Sequence, residues 1–62
     1  MMETEFVDNV LSRLIELPDY VQVESLRNAK ILMDNWVEIS ESLTSRAIEL
    51  EYYELCAILR DI

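Results

Sequence analysis

A run of six residues, Ser12-Arg13-Leu14-Ile15-Glu16-Leu17, returns 33 positions later as Ser45-Arg46-Ala47-Ile48-Glu49-Leu50. The echo reaches from Glu5/Glu38 through Tyr20/Tyr53 to Leu26/Leu59 and Arg27/Arg60, and makes 9 identities in 29 overlapping pairs. Composition alone would give about two. A fixed period of this size marks a repeated helical unit that cannot bury its own apolar face. The 62 residues then read as one domain, 1–62, with copy one over about 5–37 and copy two over about 38–62. Such a short chain buries only a modest share of its surface, so self-association or a partner is the expected means of covering the rest.

Local signals are helical almost throughout. The chain has no glycine and a single proline, Pro18, so it lacks the punctuation of hairpin sheets. In the first segment Phe6, Val7, Val10, Leu11, Leu14 and Ile15 recur at helical spacing and form one apolar stripe. Thr4 is a candidate N-cap, and Glu3, Glu5 and Asp8 suit the positive end of the helix dipole. Pro18 disfavours helical geometry at Leu17 and ends this segment. Asp19 and Gln22 then read as a capping box for a second helix.

That second helix carries Val23, Leu26, Ala29, Met33 and Trp36 on one face, with Leu32 and Ile39 beside it. Ser40, Ser42, Thr44 and Ser45 crowd the stretch from Glu38 to Arg46. Small hydroxyl residues compete with helical backbone bonding, so a turn is expected there, although a continuous helix is compatible with the sequence. Leu43, Ala47, Ile48 and Leu50 supply a further amphipathic stretch, and Tyr53, Cys56, Ala57, Leu59 and Ile62 the last apolar face. Copy one turns at Leu17-Pro18-Asp19-Tyr20, which aligns with Leu50-Glu51-Tyr52-Tyr53. A bend near Glu51 follows by analogy. The expected fold class is all-α: a small bundle of two helical hairpins, or of three helices if the last segment is unbroken, and oligomeric.

Charge and chemistry narrow the functional classes. Thirteen acids against five bases give a net charge of −8, and Arg13, Arg27, Lys30, Arg46 and Arg60 are scattered rather than clustered. Phosphate backbones and anionic lipids repel such a surface, so neither direct nucleic-acid nor membrane binding is expected. The N-terminus has acids where a secretory signal carries bases. One cysteine and no histidine fit a reducing, cytoplasmic setting and point away from a zinc site. No metal, cofactor or catalytic residue is expected: Cys56 has no basic neighbour to lower its pKa, and no glycine-rich loop is present to cradle phosphate.

Tyr53-Glu54-Leu55-Cys56-Ala57-Ile58-Leu59-Arg60-Asp61, preceded by Arg46-Ala47-Ile48-Glu49, resembles the UVR motif, the short helical hairpin named for the UvrB and UvrC repair proteins. Copy one is similar but looser. It keeps Asp19-Tyr20 and Leu26-Arg27, while Val23 and Glu24 replace the small pair Cys56-Ala57 and Asn28 replaces the acid. The resemblance implies protein–protein association, since hairpins of this family bind partners or dimerise and are not catalytic by themselves.

The residues therefore point to an adaptor or regulator that binds a protein partner or itself through an apolar helix face, with arginine–acid pairs at the rim. Arg27, Trp36, Tyr52, Tyr53, Arg60 and Asp61 are the candidate contact residues: the aromatics because they anchor interfaces, the charged ones because they sit at the rim of the UVR-like unit. Two other readings fit the same sequence. One is an acidic inhibitor, of the kind found among phage proteins, that occupies a basic nucleic-acid-binding groove; the other is a purely structural homo-oligomer.

Overall fold

The computed structural model describes residues 4–62, which form four α-helices and, among the described residues, no strand. Helix α1 spans Thr4–Leu14, α2 Asp19–Leu32, α3 Trp36–Glu49 and α4 Tyr53–Asp61. The expected acid Glu3 lies outside the described residues, and Thr4 is itself the first residue of α1 rather than a residue preceding it.

One core joins the helices. Val7, Leu11 and Leu14 come from α1, Leu26 from α2, Ile39, Leu43 and Ala47 from α3, and Leu55 and Leu59 from α4. Trp36, Leu50, Tyr52, Cys56 and Ile58 pack around this cluster. The most extensive packing is α3 on α4, then α1 on α3, then α2 on α4; α1 and α2 pack on each other less than any of these pairs. The stripe on α1 is narrower than its spacing suggests, because Phe6 and Ile15 at its edges remain exposed.

Two expectations need correction. The chain does not turn among the serines: α3 runs unbroken through Ser40, Ser42, Thr44 and Ser45, and the break falls earlier, at Met33-Asp34-Asn35. Met33 is extended at φ −105° and ψ 120°, and Asp34 and Asn35 are poor helix interiors that favour turns. Geometry demands a break here. On one straight helix Leu26 and Ile39 would point about 140° apart, yet both enter the same core. One of these hydroxyls finds its partner within the helix itself. The Ser40 hydroxyl donates to the Val37 carbonyl one turn back at 3.0 Å.

The second correction concerns the start of α2. Its N-cap is Pro18, with no side-chain capping bond, so Asp19 and Gln22 form no capping box. Gln22 is buried and reaches backwards instead: its amide Nε2 donates to the carbonyls of Leu14 at 2.8 Å and Leu17 at 3.0 Å. The Leu14 carbonyl already accepts from the Leu17 N–H at 3.0 Å, so Gln22 adds a second donor there and supplies the donor that the Leu17 carbonyl gets from no backbone N–H among the described residues. Between α3 and α4 the backbone closes the helix by itself. Glu51 adopts φ 65°, its N–H donates to the Ile48 carbonyl at 3.1 Å, and the Tyr52 N–H donates to the Ala47 carbonyl at 2.8 Å. This pair of bonds around a left-handed residue is a Schellman motif.

Candidate functional site

Several of the apolar side chains left outside the core lie at two places, while Phe6, Tyr20 and Ile48 are exposed elsewhere. At the corner between α2 and α3, Ile31 is 75 % exposed, Leu32 80 % and Val37 70 %, with Met33 between them also open to solvent. This corner exists because the break at residues 33–35 carries the end of α2 away from the core while α3 turns Ile39 into it. Burial of such residues stabilises by about 25 cal/mol for each Å² removed from water, so their exposure leaves free energy available for association. The second place is where the two turns face a common groove of about 300 Å³, lined by Ile15, Leu17, Gln22, Tyr52, Tyr53 and Leu55.

The six candidate contact residues separate in space and in character. Tyr52 and Tyr53 both line the groove, but Tyr52 also packs against the core while Tyr53 is exposed. Trp36 is half-buried against the core at the start of α3. Arg27 stands exposed on α2 and makes no ion pair among the described residues. Arg60 and Asp61 are exposed at the end of α4, and Arg60 Nε lies 3.5 Å from the carboxylate of Asp61, its own neighbour, rather than from an acid on a facing helix. Such a solvated pair contributes little to stability.

A two-pronged ion pair, outside the candidate contact residues, is made by Arg46. Its Nε donates to Asp8 Oδ1 at 2.6 Å and its Nη2 to Asp8 Oδ2 at 3.2 Å, a two-pronged clasp between α3 and α1. A third bond runs from Nη1 to Glu49 at 3.0 Å. The hydrogen bond from Arg46 holds the Asp8 carboxyl below its ordinary value; partial loss of solvent opposes this and the guanidinium charge reinforces it. The same hydrogen bond raises the pKa of Arg46. One signal in the sequence bore on this pair, the repeated Arg13/Arg46, but Asp8 is 38 residues from Arg46 and spacing alone cannot bring them together. At the other end, the Lys30 ammonium donates to the main-chain oxygen of Ile62 at 2.6 Å and ties α2 to the end of α4.

Among the described residues no three Cys, Asp or Glu side chains are grouped so as to hold a metal ion, and Cys56 is half-buried against the core. Among the described residues no helix is long and apolar enough to cross a membrane. Comparison with known proteins returns no matching family model, no matching curated protein and no matching solved structure.

Proposed function

We propose that this chain is a protein–protein interaction module, an adaptor or regulator, that docks a protein partner or a second copy of itself through its exposed apolar surface. The observation that carries the reading is the α2–α3 corner, where Ile31, Leu32 and Val37 are each at least 70 % exposed in a chain of only 62 residues. Single exposed apolar residues are ordinary on a small protein, whereas several this exposed on either side of one turn are what an interface would cover. Supporting it are the exposed Tyr53 beside the groove and the UVR-like run on α3 and α4, whose family uses such hairpins for association. Arg27, Arg60 and Asp61 are exposed and available as rim contacts around the apolar centre.

The test is capture of partners from the source cell with the immobilised chain, repeated at high salt and with the Leu32→Asp/Val37→Asp double variant. The expected result is capture that survives salt and is lost in the double variant, while its helix content by circular dichroism stays that of the parent. Capture that collapses as ionic strength rises, and that the double variant retains, would replace this reading with that of an acidic inhibitor of a basic groove.

A further inference from the structure

Helix α2 is the least integrated of the four. Only Gln22 and Leu26 are buried along its 14 residues. The face opposite them carries Tyr20, Glu24, Arg27 and Ile31, spaced 4, 3 and 4 residues apart, which keeps all four within about 60° of arc. Tyr20 is 73 % and Ile31 75 % exposed, and Glu24 and Arg27 are exposed without an ion pair among the described residues. Read in either direction the stripe has the same form: apolar, charged, charged, apolar. Its centre lies between Ser25 and Leu26, which is also the midpoint of Asp19–Leu32.

We propose that this face of α2 packs antiparallel against the same face of a second copy, with Glu24 of each chain meeting Arg27 of the other and Tyr20 of each meeting Ile31 of the other. This rests on the reading of the chain as an interaction module and names its occupant. A two-fold axis through the helix midpoint places residue 20 opposite 31 and residue 24 opposite 27 at equal heights, so one alignment satisfies all four contacts twice over. Isologous interfaces require such self-complementarity. The charges are what select the second copy. Net charge is −8, and two such chains repel at long range, but on this face each acid finds the partner's base. An antiparallel pairing of one helix from each chain lies at the small end of protein interfaces, so the dimer is weak and concentration-dependent.

Sedimentation equilibrium on the purified chain and its charge variants tests the pairing. The parent is expected to dimerise as concentration rises. Glu24→Arg alone sets Arg against Arg across the axis twice, and Arg27→Glu alone sets Glu against Glu; each is expected to weaken self-association by about tenfold or more. An equal mixture of the two single variants pairs every acid with a base again and is expected to associate like the parent, as is the Glu24→Arg/Arg27→Glu chain. Both positions are exposed, so circular dichroism spectra should match the parent's. A parent that stays monomeric into the millimolar range, single variants that dimerise as the parent does, or a mixture that associates no better than its components would each overturn the proposal. Leu32 and Val37 are untouched in these variants. A monomeric parent that still captures a partner therefore overturns the α2 pairing and leaves the interaction-module reading standing.

Discussion

The carbonyls of Leu14 and Ala47 occupy the same place in the two repeats and are satisfied by different means. In copy one the residue four positions on is Pro18, which cannot donate; the Leu17 N–H bonds Leu14 instead, and the buried amide of Gln22 reaches back to both Leu14 and the otherwise undonated Leu17. In copy two the matching residue is Glu51, which adopts φ 65° and lets the Tyr52 N–H turn onto Ala47. The side chain that corresponds to Gln22 is Leu55, and freed of any duty to the backbone it is a core residue at 2 % exposure. The same buried position is polar or apolar according to what the neighbouring turn leaves unbonded. Each turn has a cost: copy one places an amide in the core, and copy two holds a residue with a Cβ in the left-handed region.

Packing differs in parallel with the turns. Helix α4 lies firmly on α3, while α2 packs chiefly, and more sparsely, on α4. Leu59→Ala and Leu26→Ala alter equivalent buried residues and measure this directly. Each truncation falls within the usual range of about 2 to 5 kcal/mol, with Leu59 expected near the top and Leu26 near the bottom; equal midpoints in urea unfolding would show that the two copies are equally integrated. Gln22→Leu gives copy one the core residue of copy two while keeping Pro18. The Leu17 carbonyl then loses its donor while the Leu14 carbonyl keeps the Leu17 N–H, and unfolding experiments should register a loss of about 1 to 3 kcal/mol. A neutral outcome would mean that water reaches the Leu17 carbonyl from the adjoining groove.

Glu51→Gly removes the steric penalty of the left-handed turn and is expected to raise stability by about 0.5 to 1 kcal/mol, seen as a higher melting temperature. Loss of stability would show that the Glu51 side chain has a favourable role at the turn. The fourth contrast is between Arg46, which clasps Asp8, and its repeat partner Arg13, which makes no ion pair among the described residues. Because the folded state lowers the Asp8 pKa, the unfolded chain binds the proton more readily. The clasp therefore contributes fully above the ordinary carboxylate value of 3.8 and fades as pH falls through the lower folded value. Asp8→Asn should narrow the stability gap between pH 7 and pH 3, as read from urea titrations at both pH values, whereas Arg13→Ala should leave that gap unchanged.

Some of this architecture is legible residue by residue. Pro18 ends α1 for a local reason, and helical periodicity finds Val7, Leu11 and Leu14. The bend at Glu51 is visible only by laying one copy over the other, since Leu50-Glu51-Tyr52 has no glycine or proline to announce it. The break at Met33-Asp34-Asn35 is masked by the more conspicuous serine cluster, through which α3 runs unbroken and whose Ser40 bonds back to Val37. Gln22 reads locally as a cap for the helix it belongs to, and serves the helix before it. Of the candidate contact residues, Tyr53, Arg27, Arg60 and Asp61 lie on the surface, while Trp36 and Tyr52 are drawn against the core. The exposed corner of Leu32 and Val37 escapes sequence reasoning, because an apolar residue at helical spacing is assigned by default to the buried side.

The order of residues alone determined the helical class, the internal sequence echo, the excess of acids and the stop at Pro18, because each depends on the residue order itself, on neighbours within a few positions or on sums over the chain. Tertiary structure decided which of two equivalent arginines finds a carboxylate, where the middle of the chain breaks, and which apolar side chains are left facing water. Those outcomes turn on through-space meetings such as that of Asp8 with Arg46, and such meetings are set by the directions in which whole helices leave their turns.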